Sequence, residues 1–343
     1  MSDFSKISQI ISPNRRILLS PLDWGLGHAS RLIPLIRVLG ERCQARITVA
    51  ANGAQRALIA GSFPHLDYLS PPDYNIRYHK NRAATIAGLA FSLPHLRKAM
   101  RAEADWVNGV LLQHDFDCII SDNRYGFRHP SLPSFFITHQ LAPRSPFGPL
   151  ADRALQEYLY GKIGHFQEVW VPDLESAPGL AGALSHPRRL PRVPLRYIGP
   201  LSRLQAVPAN GKTRLLVILS GPEPQRSILE KRVLQQWPGP AAGTLVLVRG
   251  LPEENAPFLT AGEDVRIHAH LGPEALSQEI ANAQTVLCRS GYSSIMDLLP
   301  LHRDIVMVPT PGQTEQEYLA RLHAAAGNIR RVVQGQLRLS ELL

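Results

Sequence analysis

Cysteine is scarce in this chain of 343 residues, and its three copies, Cys43, Cys118 and Cys288, are scattered. An odd count without paired spacing excludes a disulfide framework and a clustered zinc site. It predicts reduced thiols, two of them inside the apolar runs DCIISD and TVLCRS. Acidic residues are also short, 28 against 37 lysines and arginines, for a net charge of +9. That balance favours an anionic partner such as nucleic acid, an acidic membrane surface or a phosphorylated metabolite; a solvated basic surface is an equal alternative. The basic residues are dispersed and no nucleic-acid motif is present, so nucleic acid is the least expected of the three. At 19% charged and 44% hydrophobic residues, the composition excludes disorder. No run approaches ~18 uninterrupted apolar residues, which excludes a spanning helix. MSDFSKISQIISPNRR lacks a leader's apolar core and cleavage site. The expected location is cytoplasmic, with peripheral attachment to the inner membrane face as an option.

The chain is long for one core, which predicts two domains. RRILLS, ARITVAA, DCIISD, PSFFITH and EVWVPD read as strands, with helical spacing in RLIPLIRVLGER, AQRALIAG and a long insertion ending at His114. After the proline-rich stretch Leu190–Lys212, the alternation restarts with TRLLVILS and continues through TLVLVRG, VRIHAHL, TVLCRS, DIVMVPT and IRRVVQ. The expected fold is α/β: two doubly wound Rossmann-like domains, 1–200 and 201–343, facing across a cleft at the carboxyl ends of both sheets.

In SPLDWGLGHASR, Gly25 and Gly27 stand where strand one turns into a helix, allowing close approach of backbone amides to a ligand. A dinucleotide site needs an acid after strand two, but the chain has Ala50, Ala51 and Asn52 there. His28 in this turn is either a general base or a loop-bonding residue, and Arg31 either holds an anion or faces solvent. Asp122 and His139, at the ends of later strands, also point to the cleft side.

TVLCRSGYSSIMDLL repeats the strand, turn and helix. Arg289, Ser290, Gly291 and Ser293 form an anion site, and Asp297 is either an acceptor for a diol or a surface acid. In VPTPGQTEQEYLARL, Gln313, Gln316 and Glu317 suit sugar hydroxyls, although Thr314 with Glu317 also reads as a capping box. In LSGPEPQRS, Ser220 and Gly221 fit a phosphate-facing turn and Arg226 supplies a nearby charge.

These segments resemble the GT-B glycosyltransferases of the MurG-like type, known by their family-28 carboxyl-terminal domain. The resemblance is specific over Thr285–Ala320, weaker over Ile17–Leu39, and architectural elsewhere. It implies a hexosyltransferase-type enzyme whose carboxyl-terminal domain binds a nucleotide sugar, usually a UDP sugar, and whose amino-terminal domain binds the acceptor. Ser290 and Gly291 then contact the diphosphate and Asp297 the ribose, although the family's usual acid there is glutamate. Gln316 and Glu317 read the sugar, where the usual second member is glutamine. His270 and Leu271 hold the nucleobase. His28 matches the family's turn histidine and ranks as first catalytic base, with Asp122 second; Gly25, Gly27, Arg31 and His139 belong to the acceptor side. The implied reaction is transfer with inversion, and no metal or other cofactor is expected beyond the nucleotide sugar as co-substrate.

The acceptor is unidentified. Tyr78–His114, with apolar stretches beside Arg82, Arg97, Lys98 and Arg101, reads either as an interfacial surface for a lipid-linked acceptor on an anionic membrane or as a helical lid. Two rival functions fit the same architecture less well: a nucleotide-sugar epimerase, and a non-catalytic nucleotide- or nucleic-acid-binding protein.

Overall fold

The structure is a computed structural model describing residues 5–23, 25–73, 93–253, 259–260, 262–301 and 304–343. The described residues form two compact units. The first holds residues 5–23, 28–73 and 93–201, and the second holds those from Ser202 onward together with the turn 25–27. Much of the Tyr78–His114 segment, Arg82 included, lies outside the described residues.

The first unit is built on a seven-stranded parallel sheet of order β3-β2-β1-β4-β5-β6-β7. Its strands are β1 (Arg16–Pro21), β2 (Arg46–Ala50), β3 (Asp67–Leu69), β4 (Cys118–Asp122), β5 (Ser134–Ile137), β6 (Glu168–Val171) and β7 (Leu195–Tyr197). Its helices are α1 (Ser5–Ile10), α2 (Leu26–Cys43), α3 (Gly53–Ser62), α4 (Leu93–Leu111) and α5 (Pro149–Ile163). Strands β4, β5 and β6 are buried at every residue, as strands covered on both faces must be, which is why they read as unbroken apolar runs. Leu18, Ala50, Val107, Phe116, Ile119 and Phe127 form one core; each of these side chains except that of Ala50 contributes roughly 1.5–3 kcal/mol on burial.

Strand β7 lies inside the stretch expected to be a linker. Its three residues are too few to show periodicity, and tertiary bonds hold it. Val169 to Val171 pair in register with Leu195 to Tyr197, and Arg196 Nε donates to Glu168 Oε1 at 2.9 Å. The other oxygen of Glu168 accepts from Nε1 of fully buried Trp170 at 2.9 Å, supplying the partner that a buried indole needs. Helix α5 also went unread, because of all its residues only Ile163 is buried and its apolar periodicity is correspondingly faint.

The second unit has a seven-stranded sheet of order β10-β11-β9-β8-β12-β13-β14. Its strands are β8 (Thr213–Ile218), β9 (Leu245–Val248), β10 (Leu259–Thr260), β11 (Val265–His268), β12 (Ala283–Cys288), β13 (Asp304–Met307) and β14 (Arg330–Arg331). All pairings are parallel except the antiparallel β10–β11 edge. Its helices are α6 (Gln225–Gln236), α7 (Pro273–Asn282), α8 (Tyr292–Leu298) and α9 (Thr314–Ala325). Leu229 and Val233 of α6 join Leu215, Val217, Leu245 and Leu247 in the core, together with Leu337 and Leu339 of the carboxyl-terminal segment. The two parallel-sheet α/β units are those the alternation predicts. Cys43, Cys118 and Cys288 are free and buried. Among the described residues no helix is long and apolar enough to cross a membrane.

Candidate functional site

In the first unit the strand order reverses between β1 and β4, which pair from Ile17↔Cys118 to Pro21↔Asp122. Such switch points open a crevice at the carboxyl ends of the strands. After β1 the chain passes through Gly25, whose φ of +67 needs a residue without Cβ even though the space around it is open. Helix α2 begins at Leu26, so His28 occupies its first turn rather than the loop. Arg31, three residues on, lies on the same face.

Both side chains converge on Asp122, at the end of β4 and fully buried. Arg31 Nε donates to Asp122 Oδ2 at 2.8 Å and Arg31 Nη2 donates to Oδ1, a two-pronged clamp. Arg31 Nη1 lies 3.2 Å from His139 Nδ1. His28 Nδ1 lies 3.2 Å from Asp122 Oδ1 and 2.9 Å from Arg31 Nη2. With its proton on Nδ1, His28 donates to the carboxylate and presents an unprotonated Nε2; with the proton on Nε2, its Nδ1 accepts from Arg31. Burial lowers the pKa of His28, and Arg31 and His139 add to this against the pull of Asp122, so the imidazole is neutral at pH 7. Burial opposes ionisation of Asp122, but Arg31 and His28 outweigh it and hold the carboxyl at about 2.

This geometry corrects three expectations. Arg31 is only 2% exposed, so it neither faces solvent nor waits for an anion. Asp122, sealed off and strongly acidic, cannot serve as the rival base and instead orients its neighbours. His139 is buried against Arg31, inside the cluster rather than at a surface.

In the second unit the order reverses between β8 and β12, and the loops that follow these strands and β13 meet there. After β8 come Ser220 and Gly221, the latter with φ +94 and its absent Cβ aimed at Thr310 Oγ1, 3.8 Å away. Thr310 is 1% exposed, and its Oγ1 has no hydrogen-bond partner among the described residues. After β12, Ser290 is fully buried and donates to the carbonyl of Gln316 at 2.8 Å. Gln316 Oε1 in turn accepts from the Thr310 N–H at 2.9 Å, tying the loops after β12 and β13 together. Gly291 starts α8 without a side-chain cap, and Ser293 follows in its first turn.

Asp297 on α8 accepts from Ser202 Oγ at 2.7 Å and from the backbone N–H of Arg203. Burial raises its pKa against these bonds and the Arg203 charge. Arg203 was not anticipated, because it lies in the proline-rich stretch where no motif marks it. Its Nε and Nη1 are buried without hydrogen-bond partners among the described residues. Burial lowers its pKa against the attraction of Asp297. Burial, and then Arg203, push His270 down to about 4, so that imidazole is also neutral. Leu271 follows it directly before α7.

One further expectation fails on contact geometry. Arg226 is 6% exposed and bound to Glu223 at 2.5 Å and Glu230 at 2.6 Å, so its charge is already compensated. Arg289 is 1% exposed and donates to the carbonyls of Val308, Pro309 and Gln225, tying the loop after β13 to α6, while its Nε is buried without a hydrogen-bond partner among the described residues; burial lowers its pKa to about 10. Gln313 is the N-cap residue of α9, with no side-chain bond to the helix, and Glu317 reaches the N–H of Gly312 at 3.3 Å.

Residues 273–343 match the glycosyltransferase family 28 C-terminal domain. Among solved structures, the glycotransferase of kitacinnamycin superposes with a TM-score of 0.62 at 16% identity, covering 97% of this chain and 89% of that one. Arabidopsis thaliana UGT89C1 complexed with UDP-L-rhamnose gives 0.59 at 13% identity, covering 96% and 89%. Acinetobacter baumannii MurG gives 0.51 at 12%, again covering 96% and 89%. No curated protein sequence matches the chain. The two parallel-sheet units therefore carry the GT-B fold of these neighbours, and residues 273–343 are similar to the family 28 carboxyl-terminal domain.

Proposed function

We propose that the enzyme transfers a sugar from a nucleotide sugar, a UDP sugar by preference, to an acceptor hydroxyl, with inversion and without metal. The observation that carries this reading is half-buried Arg203, whose Nε and Nη1 are buried and unpartnered among the described residues, in the unit that holds Ser290, Asp297 and His270. Buried N–H groups of a cation left without acceptors are costly, and a diphosphate or a nucleobase carbonyl would satisfy them. UGT89C1, of the same fold, is complexed with UDP-L-rhamnose.

In this reading Ser220, Gly221, Ser290, Gly291 and Ser293 surround the diphosphate, and Thr310 adds its unpartnered hydroxyl. Asp297 takes the ribose hydroxyls, His270 and Leu271 border the base, and Gln313, Gln316 and Glu317 read the sugar. The acceptor approaches the Gly25–Gly27 turn. His28 is the base: a neutral imidazole removes the acceptor proton as the hydroxyl oxygen attacks the anomeric carbon and the nucleotide diphosphate leaves. Asp122 and Arg31 position it. An acceptor carried on a lipid at an anionic membrane would suit the basic chain.

A thermal-shift panel of UDP, TDP, GDP and their sugars tests the donor, with Arg203→Gln as the comparison. Stabilisation by one nucleotide class, weakened roughly tenfold or more in the variant, is the expected result. A panel that leaves the protein unmoved defeats the reading. Product analysis with donor alone separates transfer from epimerisation, since isomerised sugar without acceptor belongs to an epimerase.

A further inference from the structure

The first unit contains a cavity of about 430 Å³ that includes none of the residues of the His28–Asp122 cluster. It lies where the start of α4 and the end of α5 face the loop after β4. That volume is within the ~300–1,000 Å³ range of small-molecule sites. Its wall carries Arg97, Arg101, Arg128, Lys162 and His165, with Tyr158 among them and, among the described residues, no aspartate or glutamate.

The loop is held close by its chemistry. Glu103 of α4 accepts from Arg124 Nε at 2.7 Å and from the Gly126 N–H at 2.9 Å. A Cβ on Gly126 would sit 2.0 Å from the Met100 carbonyl oxygen, so only glycine lets the loop pass this near to α4. Glu103 is fully buried and saturated by Arg124, so it does not neutralise the cavity wall.

The wall itself is arranged like a receptor for negative charge. Arg97 Cζ lies 5.8 Å and Lys162 Nζ 5.3 Å from the centre of the Tyr158 ring, whose face holds both cations in place. The Tyr158 hydroxyl is buried and has no hydrogen-bond partner among the described residues. Burial lowers the pKa of Arg128; burial, and then Arg128 and Lys162, lower that of His165. Like charges gathered in a concavity whose described wall holds no acidic side chain repel one another and raise the local concentration of anions. An oxyanion would relieve that repulsion and accept from the orphaned hydroxyl.

We propose that this cavity binds a phosphate or diphosphate group, carried either by a soluble metabolite or by an anionic lipid headgroup. Arg101, Arg128 and Lys162 supply its charge, and Tyr158 donates a hydrogen bond to a phosphate oxygen. The proposal does not depend on the donor site in the second unit.

Calorimetric titration of the full chain with inorganic pyrophosphate tests it. The Arg101→Gln/Lys162→Gln variant should bind at least tenfold more weakly than wild type. Tyr158→Phe, which removes only the hydroxyl, should bind roughly three- to tenfold more weakly. Lys212→Gln/Arg331→Gln removes the same net charge from two exposed positions and should stay within twofold of wild type. Should the double pocket variant fold poorly by circular dichroism, Tyr158→Phe carries the test by itself. Equal pyrophosphate affinity in wild type and the pocket variants, no binding by wild type, or an equal loss in the surface control would each overturn the proposal. Flotation with phosphatidylglycerol vesicles at low salt then assigns the source: binding lost in the pocket variant and competed by pyrophosphate means a lipid headgroup, and pyrophosphate binding without pocket-dependent flotation means a soluble phosphate ester.

Discussion

Replacing Arg31 by methionine would remove the only guanidinium bonded to Asp122 among the described residues, and leave a carboxylate of zero exposure beside a neutral histidine. Breaking a buried ion pair from one side costs about 3–5 kcal/mol. For a unit of this size, each kcal/mol moves the melting temperature by about 2–4 °C, so the first unit should melt roughly 6–20 °C lower. Urea unfolding monitored by tryptophan fluorescence, with the Arg31→Met/Asp122→Leu double variant alongside, is the measurement. The double variant should regain at least half of the loss, because two apolar side chains leave no buried charge behind.

The pH dependence follows from the same contacts. In the wild type the carboxyl of Asp122 is held down from 3.8 to about 2, so its stabilising contribution is complete above pH 3.8 and is lost as the pH falls towards 2. Without Arg31 the burial effect prevails and the folded-state pKa rises above its ordinary value. The folded variant then takes up a proton that the unfolded chain does not, and its deficit narrows as the pH falls through that raised pKa. A loss below about 1 kcal/mol, or a double variant no better than Arg31→Met, would refute the account of the cluster.

His28→Ala should lower turnover by roughly 10²- to 10⁴-fold, as loss of a general base does, with donor affinity within twofold of wild type; unchanged turnover removes His28 from the mechanism. Burial lowers the pKa of His28 from 6.5, so the wild-type rate should fall to half its maximum at a pH below 6.5, where the base becomes protonated. A half-maximal rate at or above pH 6.5 contradicts that assignment. Arg226→Gln should change donor affinity less than twofold while lowering the melting temperature, since Glu223 and Glu230 already compensate this arginine; a tenfold loss of affinity would restore it to the donor site.

The legible parts of the fold were those governed by local pattern. Strands such as DCIISD and TVLCRS are covered on both faces, so an unbroken apolar run must appear in the chain itself. The turn at Gly25 is equally visible, because its left-handed backbone needs glycine. Strand β7 and helix α5 left no such trace: one is held by cross-strand bonds from Arg196 and Glu168, and the other buries too little to set a period.

The site divides in the same way. Asp122 and Ser290 stand at or just after the carboxyl end of a strand and His28 in the first turn of the helix after β1, positions that order along the chain reveals. What those residues touch depends on partners distant in sequence. Arg31 looks the same in a sequence whether it faces solvent or clamps Asp122, and Arg226 looks like a phosphate ligand until two glutamates occupy it. Arg203 was hidden in a proline-rich stretch, and the cavity around Tyr158 draws on α4, α5 and the loop after β4. The amino-acid order by itself determined two parallel α/β sheets and the strand ends where chemistry collects, because hydrophobic period and glycine turns act over a few residues. Tertiary structure alone decided which charges are paired, buried or left open, because Coulomb energy and desolvation depend on neighbours that only folding brings within a few ångströms.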